Sequence, residues 1–172
     1  MSKPILTYER AHQVLIYNPE TGSLHWRVTR PGAPKGALVG TRSNGYTQVE
    51  IDYRLYKAHR VIWLMQTGKW PTHHIDHKNR MRADNRWKNL REATPKQNAR
   101  NRRPSKRNSS GRVGVTKTRA GTWQAFIGVD MKNIVLGTFP TFDEAVVARV
   151  SAEKLHYGEF AARPDIDRQV SP

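Results

Sequence analysis

The sequence predicts an α+β chain: a small antiparallel sheet, a strand-loop-strand-helix unit, a basic linker, and a three-stranded antiparallel sheet packed on one helix. Three observations carry this. Apolar residues recur with period two in some stretches and near 3.6 in others, so strands and helices both occur. Hydrophobic residues make up 37% of 172 positions, which suits small modules better than one large core. Residues 99–111 hold five basic residues, no acidic one, and a Ser109-Ser110-Gly111 end, the composition of a linker. The expected plan is a first domain over 1–103, a flexible basic linker over 104–111, a second domain over 112–163 and a disordered tail over 164–172.

Thr7 opens a helix expected to run to Asn18, with Val14, Leu15 and Ile16 as its apolar surface. Asn18-Pro19-Glu20-Thr21-Gly22 is a turn, and Leu24 to Val28 alternates as a strand. Pro31 to Gly36 is a loop. Gly45 opens a second alternating run, Tyr46 to Ile51, with Val49 and Ile51 on one face and Tyr46, Gln48 and Glu50 on the other. Arg54-Leu55-Tyr56 is placed to pair back across a turn at Asp52. From Ala58 the period lengthens: Ala58, Val61, Ile62 and Met65 share a helix face, and Gly68 ends the helix. His59 on this helix reads as a packed, hydrogen-bonded histidine, or as a support for a nearby site.

An extended segment, His73 to His77, precedes a polar loop, Lys78 to Lys88, with five basic residues. Asn89 to Ala93 is a second strand. Thr94 is placed as an N-cap, Pro95 as the first helical residue and Gln97 as the capping-box partner, so Asn98 falls in a helix's first turn. Beyond the linker, three strands are expected over 112–118, 122–129 and 133–139. Trp123, Ala125, Ile127 and Val129 share one face of the middle strand. The last helix is capped by Thr141 with Glu144 three residues on, carries a stripe of Ala145, Ala148, Ala152 and Leu155, and stops at Gly158.

The chain has no cysteine, which excludes disulfides and thiolate zinc sites, and no apolar run approaches the roughly 20 residues of a membrane helix. A soluble protein of the cytoplasm is expected. Net charge is +16, and residues 54–107 hold 16 basic against 3 acidic residues. Such local self-repulsion points to a polyanionic partner, nucleic acid before membrane, because no broad apolar helix face accompanies the charge. Lys78, Arg80, Arg82, Arg86, Arg100, Arg102, Arg103, Lys106 and Arg107 are the expected DNA contacts in this segment.

Within this segment an adjacent acid and base, Asp76-His77, is followed by Asn89 and Asn98, 13 and 22 residues after Asp76. Phosphodiester hydrolysis needs an activated water, a neutralised phosphate and a stabilised leaving alkoxide. An imidazole serves the first need. A hard cation such as Mg²⁺ or Mn²⁺, held by oxygen donors, serves the other two. Asp76 and Asn98 supply the oxygens and His77 the base. An ideal strand would point Asp76 and His77 to opposite faces, so the strand must end or bend there. A zinc site built from His73, His74 and His77 is poor for the same reason, and His73 and His74 are expected in solvent.

Ala58-His59-Arg60, Ile75-Asp76-His77, Asn89-Leu90-Arg91 and Gln97-Asn98 resemble the HNH nucleases, in the branch of phage and intron-encoded homing endonucleases. The resemblance implies a ββα-metal fold, Asp76 and Asn98 as ligands of one Mg²⁺ or Mn²⁺, His77 as general base, and Asn89 fixing the loop by hydrogen bonds across it. The loop departs from the branch in lacking a glycine after the Asp-His pair, and many family members carry histidine where Asn98 stands. Gly114-Val115, Trp123 to Ile127, Leu136 to Phe139 and Gly158 to Ala161 resemble the ethylene-response-factor (Apetala-two-type) DNA-binding domain, which lays its sheet in the major groove. Thr116, Thr118, Phe126, Gly128 and Asn133 stand where that family places base-reading side chains, leaving Lys117, Arg119 and Gln124 as the candidate contacts. A metal-dependent DNA endonuclease that nicks as a monomer is the leading expectation. The alternative is a DNA-binding regulator without cleavage.

Overall fold

The structure is a computed structural model and describes residues 5–101, 104–105 and 107–161. Arg102, Arg103 and Lys106, and the tail predicted over 164–172, lie outside the described residues. The chain divides into two compact units, Met1–Pro95 and Lys96–Pro172. No helix among the described residues is long and apolar enough to cross a membrane.

In the first unit, helix α1 (Tyr8–Val14) starts where Thr7 accepts a bond from the Arg10 amide, as its sequence predicts. It ends sooner than expected. Leu15–Tyr17 is a strand, β1, paired antiparallel with β2 (Leu24–Trp26) across the Asn18–Gly22 turn. An apolar Val-Leu-Ile run suits either period, and the ladder to β2 decides it by burying Leu15, Leu24 and Trp26 together.

Strands β3 (Thr41–Ser43), β4 (Tyr46–Ile51) and β5 (Arg54–Lys57) form a meander in that order. The β3–β4 turn, Asn44-Gly45, has positive φ at both positions, 51° and 80°, which Asn-Gly adopts readily in a two-residue hairpin. Val49 and Ile51 are buried, as the alternation predicts, and both sit against α2 (Ala58–Thr67) in one core with Val61, Ile62 and Met65. The helix ends on Gly68, the predicted stop.

A two-stranded ribbon completes this unit: β6 (His74–His77) pairs antiparallel with β7 (Leu90–Ala93), Asp76 opposite Arg91 and His77 opposite Leu90. Ile75 and Leu90 tie the ribbon to the core. The loop between the strands is braced from behind by the Asn18–Gly22 turn. Trp87 N–H donates to the Pro19 carbonyl at 3.0 Å, and the Tyr17 hydroxyl donates to the Asn85 carbonyl at 2.8 Å. Gly22, at φ +77°, lies so close that a Cβ there would stand 2.4 Å from the Arg86 amide nitrogen and 2.5 Å from the Asn85 carbonyl carbon.

Helix α3 (Pro95–Arg100) starts at the predicted proline, and from Lys96 on it belongs to the second unit. Lys96 pairs with Asp130 and the Arg100 guanidinium lies 4.5 Å from the centre of the Tyr157 ring, contacts that tie α3 into this unit. Strands β8 (Val115–Lys117), β9 (Trp123–Val129) and β10 (Lys132–Phe139) form an antiparallel sheet with β9 in the middle. Helix α4 (Phe142–Tyr157) starts on a full capping box, Thr141 with Glu144, and covers the Ala125 and Ile127 face. The expected stripe needs one correction: Leu155 is exposed. The buried face follows the i, i+4 row Ala145, Arg149, Glu153 and Tyr157, and Leu155 stands off that row. Glu153 accepts from Arg112 at 2.7 Å and from Arg149 at 2.8 Å, both oxygens used and all three side chains buried.

Gly22→Ala should destabilise the first unit by more than about 1 kcal/mol, since a side chain meets backbone there and the positive φ is strained. Urea unfolding followed by tryptophan fluorescence reports this directly, because Trp26, Trp63, Trp70 and Trp87 belong to that unit and only Trp123 to the other. An unchanged midpoint would mean that the turn gives way without cost.

Candidate active site

Asp76 and His77 close β6, paired in register with Arg91 and Leu90, and both are buried, at 7% and 4% exposure, although alternation puts them on opposite faces. Each side has its own receptor. On one, Arg91 grips Asp76 Oδ2 through Nε at 2.9 Å and a terminal nitrogen at 2.7 Å, a buried ion pair across the ribbon. On the other, the His77 ring is surrounded by three elements. His59 of α2 meets it edge-on, centres 5.2 Å apart and planes at 87°. Tyr46 of β4 lies 6.0 Å away, and Asn85 of the loop places its side-chain oxygen 3.1 Å from His77 Nε2.

Asn89 bonds across the loop. Its carbonyl accepts from Lys78 N–H at 2.9 Å, its side-chain oxygen accepts from Asn79 N–H at 3.0 Å, and its amide NH₂ donates to the Asp84 carbonyl at 2.7 Å. Asp84 in turn accepts from the Asn79 side chain at 2.6 Å and from Arg86 at 2.6 and 2.8 Å. The Arg86 guanidinium, bonded to Asp84, holds that carboxyl below the usual carboxylate range.

Burial pulls both imidazoles down. For His77 the loss of solvent outweighs the Asn85 bond and the charges of Asp76 and Asp84, so the ring is held below its ordinary 6.5 and is neutral, a base, at pH 7. His59 goes further, to about 3, through burial first and then the positive charges of His77, Lys57 and Arg60. His59 is packed, as expected, and its Nδ1 is buried with no hydrogen-bond partner among the described residues.

The other predicted residues divide by surroundings. Lys78 donates to the Lys88 carbonyl at 3.0 Å, and Arg86 is paired with Asp84. Arg80 is half-buried at φ 60°, and Arg82 is exposed with its guanidinium carbon 4.9 Å from the Tyr46 ring centre. Lys57, assigned nothing by the sequence, approaches the same ring at 4.7 Å. His73 and His74 are exposed, as predicted. In the second unit, Arg100 lies over Tyr157, Arg107, Lys117 and Arg119 are exposed, and Gln124 is half-buried. Asn98 lies on α3, in the second unit, whereas Asp76, His77 and Asn89 lie in the first.

No group of three or more His, Asp or Glu side chains among the described residues could hold a metal. A cation that keeps its waters and takes phosphate oxygens does not need one. A carboxylate such as that of Asp76 is the kind of oxygen donor a hard cation takes.

Residues 56–100 match the model of a family described as HNH endonuclease. That span runs from Tyr56 through α2, β6, the loop and β7 to the end of α3. The chain is also 34% identical over 127 residues to an "uncharacterized HNH endonuclease" of Acanthamoeba polyphaga mimivirus, an alignment covering 72% of this chain and 65% of that protein. The chain therefore spans just under two thirds of the relative's length. No solved structure matches it.

Asn85, Tyr46 and Arg91 are the site residues that sequence reasoning missed. Asn85 carries no periodic signal inside a polar loop, and Tyr46 lies on the strand face opposite Val49 and Ile51. Arg91 counts in the basic excess, yet its charge is spent on Asp76.

His59 couples stability to pH. Its folded pKa is depressed, so the unfolded chain takes up the proton first, and stability present above 6.5 is lost as pH falls toward about 3. Each pH unit in that window costs up to about 1.4 kcal/mol. Thermal unfolding of wild type and His59→Phe at pH 7.5, 6, 5 and 4 should therefore show the variant losing less stability on acidification. Parallel curves would remove His59 as the source.

Proposed function

We propose that this chain is a metal-dependent DNA endonuclease that hydrolyses phosphodiester bonds and nicks as a monomer. The observation that carries the reading is a buried, neutral imidazole, His77, placed directly after an anchored carboxylate, Asp76, inside the span that matches the HNH endonuclease family. His77 accepts the proton of the attacking water. Asn89 holds the loop so that the base keeps its place. Arg91 fixes the Asp76 carboxylate through one oxygen, and Asp76 and Asn98 would be the protein ligands of Mg²⁺ or Mn²⁺. That cation, when bound, neutralises phosphate charge and stabilises the leaving alkoxide.

Double-stranded DNA is the proposed partner. Phosphate contacts would come from Lys78, Arg80 and Arg82 around the loop, with Lys57 added by its place beside Tyr46, and from Arg100, Arg102, Arg103, Lys106 and Arg107 farther on. Arg86 is the weaker candidate because Asp84 already neutralises it. The three-stranded sheet on one helix supports the reading of residues 112–163 as an Apetala-two-type DNA-binding module, with Lys117, Arg119 and Gln124 as its contacts. Its modest charge suits positioning on DNA more than affinity.

Supercoiled plasmid incubated with Mg²⁺ should be nicked by wild type, and His77→Ala should lose this by at least about 100-fold while still binding DNA. Asp76→Ala and excess chelator should each abolish it. Full cleavage in chelator would overturn the metal mechanism, and unchanged cleavage by His77→Ala would remove the base.

If about six phosphates are contacted, log K against log salt should have a slope near −5, and a flat response would discharge the basic segment from binding. Truncation at residue 108 is a poor test of the second module, because α3 is tied to Asp130 and Tyr157 beyond that point. The triple change Lys117→Ala, Arg119→Ala, Gln124→Ala should instead alter cleavage-site preference with little effect on nicking rate, and an unaltered preference would contradict the module's role.

A further inference from the structure

Asn85 is 4% exposed, in a loop whose other members are mostly half-buried or open. A buried amide needs partners, and this one faces the imidazole read above as the base. An imidazole has two ring nitrogens of opposite character when neutral, one carrying hydrogen and the other a lone pair. What the first nitrogen bonds to decides where the lone pair lies.

We propose that Asn85 is the positioning residue for His77: its side-chain oxygen accepts the Nε2–H, 3.1 Å away, and so leaves the basic lone pair on Nδ1. The assignment rests on His77 being the general base. Three further observations support it. The ring cannot easily turn, because the His59 edge and the Tyr46 ring flank it. Asn85 cannot easily retreat, because Tyr17 holds its carbonyl and Gly22 backs its main chain with no room for a side chain. The residue before it, Asp84, is fixed from both directions by Asn79 and Arg86, and Asn89 holds the Asp84 carbonyl. A loop secured on three sides delivers one amide to one ring nitrogen.

Burial of Tyr17 serves the same end. Loss of solvent pushes its phenol up, so the hydroxyl remains protonated and keeps donating to Asn85. The chain therefore spends two ordered side chains and a turn on placing Asn85, which packing alone would not require.

The test uses the full chain with ¹⁵N-labelled histidine, in wild type, Asn85→Ala and Asn85→Asp, with His77→Ala to assign the signals. Two-bond ¹⁵N–¹H spectra at pH 8 report the tautomer without DNA or metal, and plasmid nicking reports the chemistry. Wild type is expected to show His77 as the Nε2–H tautomer. Asn85→Ala should show averaged tautomers and a nicking rate lower by about 10- to 100-fold at unchanged KM, the cost of a misplaced group. Asn85→Asp keeps an acceptor at the same place and should retain the tautomer and most of the rate.

An Nδ1–H tautomer in wild type overturns the assignment, even where Asn85→Ala fails to fold. So does Asn85→Ala with wild-type spectrum and rate. Absence of nicking by wild type overturns the endonuclease reading alone, because the tautomer is read independently of it.

Discussion

The candidate site depends on how one asparagine closes one loop. Between the four-residue strands β6 and β7 lie residues 78–89, too many for a tight turn and mostly polar, with Trp87 packed against the core. Such a loop has unsatisfied main-chain groups and little burial to oppose its entropy. Asn89 answers three of those groups at once, at Lys78, Asn79 and Asp84. Each bond contributes only about 1 kcal/mol, but all three act at one point and cut a long loop into shorter ones. The Asp84 carboxylate can then hold Asn79 and Arg86, and Asn85 is turned inward to His77.

The polar groups gathered there are costly to bury, and their pairing decides whether they mark a site. The Asp76–Arg91 pair takes two charges out of water, which seldom stabilises a fold over an apolar alternative. The second unit contains a comparable device, Arg112 and Arg149 about Glu153, with Arg149 also donating to the Phe126 carbonyl. That network joins α4 to the sheet and faces no imidazole among the described residues. A buried ion pair is thus no sign of function by itself. The pair in the first unit stands beside a buried histidine at the end of a strand, next to a loop rich in cations.

Much of this was legible in the residues. Strands β4 and β5, helix α2 with its Gly68 stop, the ribbon, the Pro95 start and the Thr141–Glu144 cap follow from period and end signals that act within a few residues. The failures came where partners distant in sequence decide. Leu15–Tyr17 is a strand because β2 is available to it. β3 was overlooked although Asn44-Gly45 announces a hairpin, because Thr41–Ser43 is exposed or half-buried and has no alternation. Leu155 fitted an alanine stripe, but buried arginine and glutamate on the next row took the inner face, and no hydrophobic pattern contains such a pair. Asp76 and His77 were found by type and spacing. Their burial on opposite sides of the strand end, against Arg91 and against His59 and Asn85, is a tertiary fact.

The two touching histidines show what separates a catalytic candidate from its support. Both rings are buried and both are held below their ordinary pKa by loss of solvent. His59 lies within a helix, beside Lys57 and Arg60, with no carboxylate among the causes that act on it, and its Nδ1 finds no partner among the described residues. A proton there would meet only positive charge, so His59 stays neutral and serves as a flat, uncharged wall. His77 is similarly buried, but the Asn85 bond and the charges of Asp76 and Asp84 favour its charged form, with Arg82 opposing. Those groups are what separates the surroundings of His77 from those of His59. Burial alone would have made His77 a second His59, and the loop closed by Asn89 is what makes it different.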